Sequence, residues 1–312
     1  MLALPKIGIA RSMKPHHNVA VDVLCDWAEA SLAFDRIDFV SGSDILDILH
    51  EEEIYDDQSF SWEMIERTWA ELERRSNCLG IGSPFKLDGK RIVRIRNWED
   101  SPAYSFCLAL ACAKWYPNWA GALGKNFTRQ GQLFELVTVA ALEQLLPSWK
   151  IHRTGWAPDN TNKIKAIVQR LSGLLFETQG ELEPWVSPMA NEAGLDIVCY
   201  RPFDDRRPNL PTLFVQCASG KHLEGKLATP DLKEWQKIIQ FIVSPRRSFA
   251  TPLAFTDSEF RRVCNKVDGL LLDRCRLLAA GRDGADWLTS SLKSKLCTWV
   301  RPRIAKLERG DE

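Results

Sequence analysis

Apolar side chains recur at helical spacing along the first third of the chain and predict three helices there. The three segments are residues 17–33, 41–52 and 58–75. Ser41 or Ser43 is expected to cap the second helix, since serine is favoured at that position. The apolar face of the third helix is formed by Trp62, Ile65, Trp69 and Leu72.

A turn signal follows these helices. Asp88-Gly89 separates two short β-like runs within residues 79–97 and predicts a hairpin. Three helices followed by a hairpin is the order of a winged helix, and the basic side chains of this hairpin suit contact with phosphates. A solvated hairpin packed on a helical domain is the alternative. The candidate nucleic-acid contacts in the hairpin are Lys90, Arg91 and Arg94.

The pattern changes after a stretch rich in Gly, Asn and Pro at residues 117–131, where we place a domain boundary near residue 122. Beyond it, predicted strands alternate with predicted helices, which favours a mixed α/β sheet. Strands are expected at 149–156, 194–203, 212–217 and 252–255, and helices at 131–146, 162–178, 231–243 and 257–267. Residues 269–281 fit either a strand or a helix. We therefore expect a mainly helical domain over 1–122 and an α/β domain with C-terminal helices over 123–312.

Composition narrows the class of protein. The 41 basic and 41 acidic residues give a neutral chain, which argues against general coating of nucleic acid but allows a nuclease with local positive patches. Nine cysteines without a CxxC pair favour buried, reduced thiols. The sequence shows neither a signal-peptide pattern nor a long apolar run, so we expect a cytoplasmic location.

Three polar side chains stand out within apolar runs. Asp196 lies near the start of one predicted strand, Gln216 near the end of the next, and Glu135 in the helix at 131–146. Burying a carboxylate without a partner is costly, so acids at such positions indicate a function. Metal-assisted phosphodiester hydrolysis needs such groups, because Mg²⁺ prefers hard oxygen ligands. Lys221 and Lys226 follow Gln216 and are candidates for stabilising the developing negative charge.

These residues fall into three short motifs, namely Gly131-x-x-Phe134-Glu135, Gly194-Leu195-Asp196-Ile197 and Val215-Gln216-Cys217. Together they resemble the PD-(D/E)xK superfamily of restriction-endonuclease-like proteins, and the closest likeness is to its Mrr-like branch. The resemblance covers roughly residues 131–256. It implies a helix–strand–strand–strand–helix–strand core with a mixed sheet flanked by helices. It also implies hydrolysis of DNA with Mg²⁺ or Mn²⁺.

The resemblance assigns a role to each candidate residue. Asp196 would be the central metal ligand, Glu135 the helix-borne acid that ligates metal or holds a water, and Gln216 the residue at the second ligand position. The superfamily places a lysine two residues after that position, where this chain has Ala218. Lys221 is the first candidate to replace that lysine, and Lys226 the second.

Two functions from different classes remain open at this point. The first is a metal-dependent endonuclease in bacterial defence against foreign DNA. The second is a catalytically inactive nuclease-fold module that binds nucleic acid or a partner protein in a defence complex. Either function is compatible with a homodimer.

Overall fold

The computed structural model describes residues 1–9, 19–35, 37–55, 58–116, 119, 121, 127–154, 164–182, 194–220 and 223–310. The protein is mixed α/β, as the sequence indicates. It divides into two compact units. The first comprises Met1–Asn126, Pro252–Thr256 and Arg274–Glu312, and the second comprises Phe127–Thr251 and Asp257–Asp273.

The first unit begins with the three expected helices. They are α1 (Val21–Phe34), α2 (Gly42–Glu51) and α3 (Gln58–Leu79). Ser41 caps α2, because its hydroxyl accepts a hydrogen bond from the backbone N–H of Asp44 while the Asp44 carboxylate accepts one from the N–H of Ser41. This reciprocal capping box satisfies two backbone donors at the start of the helix.

The predicted hairpin forms next, and a strand that the sequence pattern did not reveal joins it. The strands are β1 (Phe39–Ser41), β2 (Phe85–Asp88) and β3 (Arg91–Arg94). They form an antiparallel sheet in the order β1-β3-β2. Gly89 has a φ of 57°, which a tight turn requires and glycine adopts without strain. The unit also contains α4 (Pro102–Trp115) and, near the C-terminus, α9 (Arg274–Leu278) and α10 (Ser290–Ile304).

A buried ionic cluster joins α1, α3 and α9. Arg75 Nη1 donates to Asp26 Oδ1 at 2.9 Å and to Glu29 Oε2 at 3.0 Å. Arg274 Nη2 donates to the same two carboxylate oxygens, and all four side chains are buried. Burial alone would raise the pKa of Asp26, but Arg274 and Arg75 outweigh burial and lower it.

This cluster corrects the domain boundaries expected from sequence. The C-terminal helices were placed with residues 123–312, whereas Pro252–Thr256 and everything from Arg274 onward belong to the first unit. The physical reason is long-range packing: Arg274 pairs with acids of α1, and Trp299 of α10 packs edge-on against Phe106 of α4 with ring centroids 4.9 Å apart.

The second unit is built on a five-stranded mixed sheet. Its helices are α5 (Phe127–Leu145), α6 (Ile164–Leu175), α7 (Leu232–Ile238) and α8 (Asp257–Val267). Its strands are β4 (Lys150–Arg153), β5 (Thr178–Gln179), β6 (Ile197–Tyr200), β7 (Thr212–Cys217), β8 (Ile239–Gln240), β9 (Arg246–Ala250) and β10 (Leu270–Leu272). The large sheet has the order β10-β9-β7-β6-β4. Antiparallel pairing joins β4, β6 and β7, whereas β9 is parallel to β7 and to β10.

One face of this sheet is covered by an apolar core formed with α6 and α7. Phe214 of β7 lies at its centre, with ring centroids 5.4 Å from Trp235 and 5.6 Å from Phe241, both nearly perpendicular to it. Val198 and Leu171 complete the contact from β6 and α6. Burial of these large side chains supplies most of the energy that holds the sheet in place.

Two elements of this unit differ from the sequence prediction. The strand expected at 252–255 forms a few residues earlier, as β9, and it therefore includes Arg247. The charged side chain fits in this strand because its guanidinium donates to the carbonyls of Pro230 (3.0 Å) and Val267 (2.9 Å). The helix expected over 231–243 ends at Ile238, and β8 then pairs with β5. Residues 269–281 resolve into β10 followed by α9, so both readings of that segment are partly right.

Within the described residues, no helix combines the length and apolar character that crossing a membrane requires.

Replacing Arg274 by methionine should lower the free energy of unfolding by about 3–5 kcal/mol, since it leaves Asp26 and Glu29 with less compensation for their burial. Urea unfolding followed by tryptophan fluorescence measures the change. The deficit should be full at pH 7. It should shrink as the pH falls below the ordinary Asp pKa of about 3.9, because the native pKa of Asp26 is lowered and its stabilising charge is lost only in acid.

Arg262→Gln is the control for loss of an arginine ion pair. Arg262 forms exposed pairs with Glu259 and Glu224, so its loss should change the unfolding free energy by no more than about 1 kcal/mol. Equal effects of the two substitutions would contradict a special role for the buried cluster.

Candidate active site

The register of β6 and β7 brings Asp196 and Gln216 face to face. Ile197 pairs with Val215 and Val198 with Phe214, so the next position along β7 lies opposite Asp196. The backbone continues this ladder, because the N–H of Asp196 donates to the carbonyl of Val215 at 3.1 Å. Directly opposed side chains on one sheet face are close enough to interact.

The Asp196 carboxylate is held by donors from β7. Its Oδ2 accepts hydrogen bonds from the side-chain amide of Gln216 and, at 2.6 Å, from the backbone N–H of Cys217. Both Asp196 and Gln216 are buried. These bonds fix the position of a carboxylate that would otherwise be costly to bury.

A second set of contacts orients the Gln216 amide. Its nitrogen also donates to the carbonyl of Cys217 at 3.1 Å, and its oxygen accepts from the hydroxyl of Thr229 at 3.2 Å. Gly194, just before the strand, has a φ of 72° and lies so close that a Cβ there would be 3.3 Å from the Gln216 oxygen. The glycine therefore permits both the turn into β6 and the placement of this amide.

Glu135 reaches the same region from α5. It is buried, and its Oε2 lies 3.1 Å from Arg153 Nη2 on β4. Arg153 immediately precedes Thr154, whose N–H donates to the carbonyl of Asp196 at 2.9 Å. The antiparallel pairing of β4 with β6 thus places a guanidinium next to the helix-borne acid.

The charges of both acids affect the thiol of Cys217, the residue after Gln216. Burial raises the pKa of this thiol well above its usual value, and the charges of Asp196 and Glu135 raise it further. The structure thus brings Asp196 and Gln216 into direct contact, whereas Glu135 is in contact with Arg153.

The loop after β7 carries the predicted lysines. Ala218, at the position where the superfamily has lysine, is buried, and its N–H donates to the carbonyl of Ala250 at 2.9 Å. Gln130 of α5 donates to the carbonyl of Ser219 at 2.9 Å and holds the start of the loop. Lys221 lies outside the described residues. Lys226 has an exposed side chain, while its carbonyl accepts hydrogen bonds from Thr229.

The donor set suits a hard divalent cation. Glu135 and Asp196 provide carboxylate oxygens, and Gln216 provides an amide oxygen once its amide makes a half-turn about the Cγ–Cδ bond. Within the described part of the chain, no three His, Cys, Asp or Glu side chains come together as a ligand cluster. A cation here would complete its coordination with water, as Mg²⁺ commonly does.

Sequence reasoning missed the residues that support this site. Arg153 contacts Glu135 and Thr229 contacts Gln216, but the sequence gives no signal that pairs them with their partners. Gly194 carried a signal, because glycine before a strand indicates an unusual backbone conformation.

The basic hairpin of the first unit is only partly free for ligands. Lys90 and Arg91 are exposed, and they lie over the rings of Trp62 and Phe39 at 5.4 and 4.6 Å. Arg94 instead donates to Asp38 at 2.6 Å and to the carbonyl of Asp35 at 3.1 Å. Arg94 therefore links β3 to the segment that follows α1.

Comparison with known proteins gives no relative: no protein-family model, curated protein or solved structure matches this chain.

Gly194→Ala should destabilise the protein by about 1–2 kcal/mol, since the added Cβ meets a left-handed backbone conformation and crowds Thr229 and Gln216. Urea unfolding tests this expectation. Gly173→Ala is the matched control in the same unit, because Gly173 lies in α6 and its Cβ would meet no atom within 4 Å. That control should be neutral or stabilising by up to about 1 kcal/mol. If both substitutions are neutral, the constraint on Gly194 does not exist.

Proposed function

We propose that this protein is a Mg²⁺- or Mn²⁺-dependent endonuclease that hydrolyses DNA phosphodiester bonds, and that its second unit is a PD-(D/E)xK nuclease domain. The observation that carries the proposal is the direct hydrogen bond between buried Asp196 and Gln216 on adjacent strands. Buried Glu135, on the helix that precedes the sheet, is the second acid of the proposed site, and buried, oriented acids of this kind are typical of functional sites.

The order of elements supports this fold. Helix α5 is followed by β4, β6 and β7 as an antiparallel meander, then by α7 and the parallel strand β9. This is the helix–strand–strand–strand–helix–strand order that the resemblance implies. Helix α6 and strand β5 lie between β4 and β6 as an insertion.

Asp196 and Glu135 would hold the cation, with Gln216 as an auxiliary oxygen ligand. When bound, such an ion neutralises phosphate charge and lowers the pKa of a coordinated water. The chain's own contribution is to keep this site ordered. Cys217 N–H positions Asp196 in either orientation of the Gln216 amide, and Arg153 positions Glu135 and adds positive charge beside it. Lys221 or Lys226 would supply the further cation that stabilises the developing negative charge.

Contact with DNA would come from exposed cations outside the acidic centre. Lys90 and Arg91 on the hairpin of the first unit and Lys226 in the second are exposed, so each suits a phosphate contact. The helix–strand–helix–helix–strand–strand order of α1, β1, α2, α3, β2 and β3 supports a winged-helix assignment for the first unit. Arg94 would serve this surface indirectly by fixing β3.

One observation favours the second candidate function, a catalytically inactive nuclease-fold module that binds nucleic acid or a partner protein. The superfamily's lysine position is the buried Ala218, so the strand itself provides no cation there. Under either function we place the protein in defence against foreign DNA, where a partner protein or a homodimer would complete the active assembly.

Asp196→Asn should reduce DNA cleavage by about 100-fold or more, because electrostatic stabilisation in a hydrolytic centre is typically worth that much. The assay follows relaxation of supercoiled plasmid and shortening of linear DNA with Mg²⁺ or Mn²⁺, and with EDTA. Asp204→Asn is the matched control, since Asp204 is an exposed acid in the turn that joins β6 to β7. The control should cleave DNA like the wild type.

Calorimetric titration with Mn²⁺ separates the two candidate functions. Binding that is lost in Asp196→Asn, together with cleavage, supports the nuclease. An absence of both metal binding and cleavage in the wild type would overturn it and leave the binding module.

A further inference from the structure

The side-chain amide of Gln216 lies between two sets of oxygen atoms. On one side, its Nε2 donates to Asp196 Oδ2 and, at 3.1 Å, to the carbonyl of Cys217. On the other side, its Oε1 lies 3.2 Å from the hydroxyl oxygen of Thr229. A primary amide has donors at one end only. Its N–H groups can therefore serve the acceptors on one side or those on the other, but not both.

The Thr229 hydroxyl has a nearer acceptor than Gln216. Its Oγ1 lies 2.6 Å from the carbonyl oxygen of Lys226, to which the N–H of Thr229 also donates at 3.0 Å. A hydroxyl carries one hydrogen, and the contact with Lys226 is the stronger of the two because it is shorter. The 3.2 Å contact with Gln216 exceeds the roughly 2.5–3.0 Å of an O–H···O bond but fits an N–H···O bond. Thr229 is therefore better suited to accept from the Gln216 NH₂ group than to donate to its oxygen.

Contacts on several sides hold Thr229 in place. The carbonyl of Pro230, the next residue, accepts a hydrogen bond from Arg247 Nε at 3.0 Å. Toward β6, a Cβ on Gly194 would lie 3.2 Å from the Cβ of Thr229, so the threonine packs against bare backbone two residues before Asp196. A hydroxyl that is fixed in this way can orient a neighbouring side chain, as the supporting groups around a metal ligand do.

The preferred orientation of the Gln216 amide depends on whether a cation is present. Without one, the amide N–H groups must face Asp196 and Cys217, because an amide oxygen turned toward a carboxylate and a carbonyl is repelled by both. With a divalent cation between the carboxylate and the amide oxygen, that repulsion becomes attraction. The NH₂ group then faces Thr229, whose hydroxyl accepts from it while still donating to Lys226.

We propose that Thr229 is a positioning residue of the metal centre in the second unit: its hydroxyl accepts the turned NH₂ group of Gln216 and so holds the amide oxygen toward the cation. This inference rests on the proposed function, because it requires a cation at Asp196. The backbone of Lys226 takes part as well, since its carbonyl engages the hydroxyl hydrogen and leaves the Thr229 oxygen as an acceptor.

Calorimetric titration of the full chain with Mn²⁺, without DNA, tests the role of Thr229. Thr229→Val keeps the shape of the side chain and removes the hydroxyl, so it should weaken Mn²⁺ binding about tenfold or more, the usual effect of losing a group that orients a metal ligand. Thr229→Ser keeps the hydroxyl and should bind like the wild type. Thr212→Val is the matched control, because the Thr212 hydroxyl also donates to a carbonyl, that of Leu210 at 2.8 Å, at the other end of β7. This control should bind like the wild type.

A second background separates positioning from a general loss of structure. In Gln216→Glu the side chain ends in two equivalent oxygens, so there is no amide to hold in one orientation. Adding Thr229→Val to Gln216→Glu should therefore change the Mn²⁺ affinity by about twofold or less, which is the margin within which independent substitutions add. A purely structural role of Thr229 would weaken binding equally in both backgrounds.

The results distinguish the role of Thr229 from the proposed function. If the wild type binds Mn²⁺ and Thr229→Val binds it equally well, or if the substitution weakens binding equally in both backgrounds, the role of Thr229 is overturned and the nuclease proposal stands. If the wild type binds no Mn²⁺, the metal centre itself is overturned, and the role of Thr229 with it.

Discussion

Carboxylates that are removed from water must be given hydrogen-bond donors or cations, and both units of this protein are organised around that requirement. In the first unit, Asp26 and Glu29 share the guanidinium groups of Arg75 and Arg274. In the second unit, Asp196 takes the Cys217 N–H and the Gln216 amide. Each acid thereby fixes the helices or strands that carry its donors.

The buried acids of the two units differ in the groups that contact them. The acids of α1 face two buried arginines, which balance their charge and suit a purely structural cluster. Asp196 accepts hydrogen bonds from two neutral N–H groups, which orient the carboxylate. Glu135 pairs with Arg153. An oriented carboxylate at a strand end suits a divalent cation, and the nuclease proposal builds on that property.

The proposed nuclease centre carries two acids, although the chain as a whole has no net charge. The centre would attract a phosphodiester only through a bound cation that reverses the local charge.

The sequence by itself determined the local elements and the chemical candidates. A serine cap at Ser41 or Ser43, the Asp88-Gly89 turn and the strand 212–217 depend on neighbouring residues. Asp196, Gln216 and Glu135 stand out because each interrupts an apolar run. Only the tertiary structure decided which segments return to which unit, where β9 lies, and that Arg153 and Thr229 support the site. These features rest on contacts between distant residues, such as Arg274 with Asp26 across 248 positions. Local periodicity records which face of an element is buried, but the partner that buries it is selected by packing and charge pairing over the whole unit.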